Sequence, residues 1–469
     1  MTVVVSFIGL CVLLGLGHLL RMKVRLLRKL YLPSCVIGGL LGLVVLEVFR
    51  ALGRPLPASM TAGWNALPGF LINIVFACLF LGVALPKFRT LWRRAGPQLA
   101  YGQVVAWGQY VVGVGLTIVL LTPLFGVPHV FGGIIPVGFE GGHGTASGLQ
   151  DTFREMGKEI GWTSGGGFAL ASATAGIISA IIVGMILVNW AARKGLTVRR
   201  QSPEDVPEDD SIGVIPVDRR PIAGRLTVSS DAIESFTLHV VIVGLAVFIG
   251  YLLKEGLWLI EAAVNWGMAA EVRPKTTVYR LINGFPLFPL CMLGGLVIQM
   301  LEDRFDTHHL IDVGLTRRIQ NTSLDFLVVA AIALINVREL APEMTPFLII
   351  VAAAILWNVF CVVVLARRML PDAWFERSIA ELGQSMGVTA TGLLLLRVVD
   401  PDYETPAAEA FASKQLLHEP FMGGGLWTSM AIPLLFIYGG PPVFLIACAA
   451  MAVWLAIVFL PRFFRKPSQ

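Results

Sequence analysis

Charge is what this 469-residue chain has least of: 14% of its residues are Asp, Glu, Lys or Arg, against about 25% in an ordinary soluble domain. The shortage argues against the roughly 150-residue water-facing domains that the length would otherwise suggest. Cysteine is scarce too. Cys11, Cys35, Cys78, Cys291, Cys361 and Cys448 all lie in apolar stretches, with no Cys-x-x-Cys and no histidine at ligand spacing. That pattern argues against disulfides and a zinc site. No His-Glu-x-x-His or Walker sequence occurs, so the chain reads as no enzyme. The balance of 36 Lys and Arg over 31 Asp and Glu, a net +5, is too small to point to nucleic acid.

What is abundant is apolar sequence: 56% of the residues are hydrophobic and the mean hydropathy is +0.75. Candidate spans lie near 2–20, 31–49, 66–85, 99–122, 164–190, 236–256, 281–301, 323–341, 346–366, 423–438 and 441–460, most near the 20 or so residues a bilayer-crossing helix needs. The first lacks a basic start and a cleavage site and reads as a retained span rather than a signal peptide. The chain is thus predicted to be an all-α polytopic membrane protein. Basic residues alternate by loop, in clusters such as Arg21 to Lys29, Lys87 to Arg94 and Arg193 to Arg225. The positive-inside rule then sets the N-terminus outside and the C-terminus inside.

Two apolar stretches, 131–148 and about 376–396, are broken by Gly, Pro, Ser and Thr. Non-helical backbone at membrane depth is tolerated only where protein or water satisfies it, so both are predicted to be re-entrant hairpins. Between the halves, 191–235 carries Pro203, Pro207 and Pro216 and the acidic cluster Glu204, Asp205, Glu208, Asp209 and Asp210, as a cytoplasmic linker would. The halves match: Pro33 to Leu40 with Pro289 to Leu296, Phe70-Leu71 with Phe326-Leu327, and Thr145 to Leu149 with Thr389 to Leu393. With five spans in the first half, an odd number, the second starts on the opposite side. The expectation is an inverted repeat, 1–190 and 236–438, with 439–469 as an extra helix and tail. Interrupted segments at matching places mark the midplane site of secondary transporters.

The first interruption holds Glu140, Gly141, Gly142, His143, Gly144, Thr145 and Ser147, the second Gln384, Ser385, Thr389 and Thr391. Free amides at such tips favour a carboxylate, and unwound carbonyls and hydroxyls suit Na+. The individual side chains leave alternatives. His143 titrates, binds substrate or braces the tip. Glu140 is costly at membrane depth unless functional or paired. Arg397 clamps a carboxylate or snorkels to the interface. Asp325 ligates Na+ or caps the eighth span, and Asn73 is a ligand or a helix–helix hydrogen bond.

With Gly141-Gly142-His143-Gly144-Thr145 between the fourth and fifth spans and Asn321-Thr322-Ser323-Leu324-Asp325-Phe326-Leu327 in the eighth, the chain resembles the glutamate:sodium symporter family over about residues 1–438. The resemblance implies an Na+-coupled carrier of glutamate or a related carboxylate in the cytoplasmic (inner) membrane. It also implies a homodimer, no organic cofactor, and an elevator-like cycle in which a transport domain moves against a scaffold. Substrate is then expected at Gly141, Gly142, His143, Gly144, Thr145, Ser147, Ser385, Thr389, Thr391 and Arg397, and Na+ at Glu140, Asn73, Asp325 and Gln384. Two departures stand out: Glu140 replaces a small polar residue of better-known members, and the second interruption lacks their Gly-His-Cys-Gly. An extra carboxylate repels an anion or attracts another cation. The competing readings are proton coupling through Glu140 or His143, a differently selective organic-anion carrier, and a channel.

Overall fold

The computed structural model describes residues 2–30, 32–54, 56–83, 88–197, 215, 217, 220–269, 271–305, 308–401 and 403–459. The acidic cluster and prolines 203, 207 and 216 of the expected linker, together with Lys87, lie outside the described residues, which are helical with no strand among them.

The first half runs α1 (Thr2–Lys23), α2 (Ser34–Ala51), α3 (Ala58–Ala77) and α4 (Phe88–Leu116), then the broken pair α5 (Ile134–Gly138) and α6 (Gly142–Gly148), then α7 (Gln150–Ile160) and α8 (Gly165–Lys194). The second runs α9 (Ser235–Val264), α10 (Thr277–Gly284), α11 (Phe288–Phe305), α12 (Val313–Ala333) and α13 (Met344–Phe360). It continues with the broken pair α14 (Trp374–Met386) and α15 (Thr389–Val399), then α16 (Ala407–His418), α17 (Leu426–Tyr438) and α18 (Gly440–Phe459). Among the described residues seven helices are long and apolar enough to cross a membrane, and an eighth if α10 and α11, bent by 70° at their break, count as one. That makes the protein polytopic.

Three expected spans are displaced or shortened. α3 starts directly after Pro57 and ends well before residue 85, with Gly82 at φ +74° donating its N–H to Gln299 Oε1 at 2.6 Å. α12 begins ten residues before its apolar run, because Asp312 accepts a hydrogen bond from the Leu315 N–H at 2.9 Å and caps it there. Asp325 therefore sits inside α12, and its reading as a helix cap is corrected. α17 starts only at Leu426, after the glycines at 423–425.

The Gly pairs bring helices into backbone contact, as small residues do in membranes. A Cβ on Gly38 would fall 2.5 Å from the Leu13 carbonyl of α1, and one on Gly39 2.7 Å from Ile332 of α12. In the other half a Cβ on Gly294 would fall 2.1 Å from the Ala246 carbonyl of α9, and one on Gly295 2.2 Å from the Ala77 carbonyl of α3.

Helix ends keep a spacing between halves. α3 and α12 end 256 positions apart (333 − 77) and α4 and α13 begin 256 apart (344 − 88). α4 then has 29 residues and α13 has 17, so their ends lie 244 apart (360 − 116). Each passes into a five-residue π-helical stretch, Thr117–Leu121 and Cys361–Leu365, still 244 apart, which is the separation of Thr145 and Thr389.

Both broken pairs pack against α8. A Cβ on Gly138 would lie 1.9 Å from Ser172 Oγ, and one on Gly176 2.1 Å from the Met386 carbonyl. Phe131, Phe139, Phe168, Phe375 and Phe411, all fully buried, fill the core around these contacts.

Candidate functional site

Between α5 and α6 the chain cannot continue as a helix: Gly142 adopts φ +67°, a left-handed conformation that glycine takes without a Cβ penalty. Between α14 and α15, Gly387 and the extended Val388 make the second break. The breaks meet, for a Cβ on Gly142 would stand 3.3 Å from Val388 Cγ1 and 3.4 Å from the Gly387 carbonyl.

Glu140 lies in the first break and is buried. Its Oε1 accepts from Gln384 Nε2 at 2.8 Å and stands 2.6 Å from His418 Nε2 on α16. The direction of the second bond follows from its neighbours. Trp107 Nε1 donates to Gln103 Oε1 at 3.0 Å, so the Gln103 amide presents its NH2 to His418 Nδ1 at 3.2 Å. His418 Nδ1 must then accept, and Nε2 carries the proton donated to Glu140. A second network adjoins it. Lys414 Nζ donates to Glu381 Oε1 at 2.6 Å, Gln384 Oε1 at 3.0 Å and Gln415 Oε1 at 3.0 Å. Gln415 Nε2 donates to Thr389 Oγ1 at 2.6 Å. Gln384 thus joins the two networks through its two amide ends.

In front of the breaks lies a cavity of about 480 Å³, lined among others by Gly141, Gly144, Val388, Thr389, Gln415, Glu419, Asn321 and Arg317. Its size is within the range of about 300–1,000 Å³ usual for small-molecule sites. Three buried oxygens in and beside the first break, Glu140 Oε2, Thr145 Oγ1 and Ser147 Oγ, have no hydrogen-bond partner. Unpaired hard oxygens of this kind, one of them a carboxylate, suit a hard cation.

The expected residues fall into three groups. Gly141, Gly144 and Thr389 line the cavity. Glu140, Gln384, Ser385, Gly142, Thr145, Ser147 and Thr391 are buried in or beside the breaks, Ser385 Oγ donating to Gln384 Oε1 at 3.4 Å. His143 is buried with Nε2 at 3.0 Å from Thr174 Oγ1, whose hydroxyl donates to the Leu170 carbonyl, so the imidazole braces α6 on α8. Elsewhere lie Asn73, which lines a separate cavity of about 280 Å³ beside Lys254 and Asp151, Asp325, next to the Cys35 thiol, and the exposed Arg397. The Asn73 amide donates to the Gly69 carbonyl of its own helix at 2.8 Å.

Residues of these networks and of the cavity that the sequence did not single out include Lys414, Gln415 and His418 on α16, Glu381 on α14, Gln103 on α4, and Arg317 on α12. Arg317 lies before the apolar run of the eighth span, and α16 falls between two apolar stretches. The available signal was the spacing Lys414, Gln415, His418, which puts three polar groups within one helical turn.

Residues 1–404 match the family described as sodium/glutamate symporter. Among curated proteins the chain is similar to the sodium/glutamate symporters of Escherichia coli (strain K12) and of Shigella flexneri. Each is 27% identical over 225 residues, 48% of this chain and 51% of the relative. The chain thus spans about half the length of the curated relatives it matches. No solved structure matches it.

Proposed function

Because the chain belongs to the sodium/glutamate symporter family, a family of transporters and not of enzymes, we propose that it carries glutamate or a related small carboxylate across the cytoplasmic membrane by symport with Na+. The observation that supports this most is the pairing of unlike chemistry at the two breaks. On the cavity side the Arg317 guanidinium and the first residues of α15, Thr389 and Ala390, favour a carboxylate through charge-assisted hydrogen bonds and the helix dipole. In and beside the first break the buried, unpaired oxygens of Glu140, Thr145 and Ser147 favour Na+. A complex of net positive charge is drawn inward at about 2.3 kcal/mol per charge per 100 mV of inside-negative potential.

The architecture proposed with it is an inverted repeat of 1–190 and 236–438 with re-entrant hairpins at about 131–148 and 376–396, supported by the 256 and 244 spacings. The transport domain bearing the hairpins moves past a scaffold in an elevator-like cycle, in a homodimer with the N-terminus outside. In vesicles holding the purified protein, uptake of labelled glutamate should fall to background when choline replaces Na+ at constant pH. Undiminished uptake in choline refutes Na+ coupling.

A second reading, proton coupling, is supported by the His418–Glu140 hydrogen bond, which links a titratable pair across the two halves. It predicts uptake driven by an inward pH gradient in choline and abolished in Glu140→Gln; a carrier indifferent to the gradient excludes it.

A further inference from the structure

Lys414 and Glu381 are both fully buried. The Lys414 ammonium has three N–H bonds and three oxygen acceptors, on Glu381, Gln384 and Gln415, at 2.6 to 3.0 Å. Every donor is used and every partner is a hard oxygen, one of them a carboxylate, the donor set a hard monovalent cation takes. The shell is built rather than incidental. Gln98 Nε2 holds the other Glu381 oxygen at 2.9 Å. Gly102 of α4 leaves the room, since a Cβ there would fall 2.5 Å from Glu381 Oε1 and 2.6 Å from Lys414 Cε. The Gln384 and Gln415 amides turn their NH2 ends to Glu140 and Thr389, one residue in each broken pair's reach, so the ammonium is one hydrogen-bonded step from both.

We propose that Lys414 is a tethered cation: its ammonium fills, inside the shell of Glu381, Gln384 and Gln415, a position that an alkali cation occupies once the side chain is removed. The protein then carries one positive charge of its own beside the breaks, in place of one taken from solution. This rests on the cation-coupled reading above, but it is tested by binding, so the two fail separately. A plain ion pair tying α14 to α16 leaves no cation site behind when the lysine is cut back.

The test is thermal unfolding of the purified full chain in detergent, titrated with NaCl or KCl against choline chloride at equal ionic strength. Lys414→Ala leaves Glu381 as an uncompensated buried charge and lowers Tm in choline. A saturable rise of several degrees in NaCl or KCl, larger than that of the wild type, is expected. Adding Glu381→Gln removes both the charge and the response. A Lys414→Ala protein that answers the alkali salts no more than the wild type overturns the proposal. So does one recovered in neither salt while Lys414→Ala/Glu381→Gln is recovered, because the vacancy with its carboxylate then holds no cation.

Discussion

Thr389 and Arg317 carry the sharpest expectations at the scale of single residues. Thr389→Val removes the acceptor of the Gln415 amide, and an unsatisfied buried donor costs about 1–3 kcal/mol. Na+ or substrate dependence should weaken about 10-fold or more in uptake kinetics, with folded protein still recovered. Thr145→Val should act similarly by deleting one of the unpaired oxygens. Wild-type kinetics in both would remove the breaks from the site. Arg317→Ala should raise KM for the carboxylate by about 10-fold or more, the worth of a charged hydrogen bond. Arg317→Lys should restore part of it, because the charge stays while the two-pronged geometry goes. The glycines and hydroxyls of the breaks were legible in the sequence because they interrupt an apolar run, a local signal. Lys414 and His418 were less so, since their partners lie 33 and 278 positions away and the polar spacing in Ala-Ser-Lys-Gln-Leu-Leu-His suits a solvated helix as well as one buried among acceptors.

At the scale of elements, hydropathy found most helices but placed some ends badly. α12 shows why: Thr316, Arg317, Arg318 and Gln320 depress the hydropathy of its first turns, yet they are helical behind the Asp312 cap. Apolarity reports what can face lipid or core, whereas backbone hydrogen bonds decide where a helix begins. The closeness of α4 to α13 gives a stability test. Trp357 donates its indole N–H to the Val105 carbonyl at 2.9 Å, which fixes the ring, and a Cβ on Gly108 would fall 1.9 Å from it. Gly108→Ala should therefore cost about 1–3 kcal/mol by overpacking, read as a lowered Tm. Gly126→Ala, with open space around it, should be felt only through its φ of +71° and lower Tm less.

For the whole molecule, the proposed sidedness is open to a labelling experiment. Ser230 is exposed in the segment before α9, so a Ser230→Cys variant should react with a membrane-impermeant maleimide in inside-out vesicles and stay unreacted in right-side-out ones. The opposite pattern reverses the topology. The contact between Glu140 and Gln384 has a consequence for how such a molecule is made. The two residues are 244 positions apart, the separation that relates the two π-helical stretches, so in the proposed repeat each touches its own counterpart. In a pair of identical shorter chains that point would lie on the symmetry axis, and whatever side chain stood there would face a copy of itself. Two carboxylates so placed repel each other, and two amides hold no net charge. A single chain containing both halves is free of that restriction. It sets an acceptor against a donor, and the proposed repeat gains at its centre a bond with a direction.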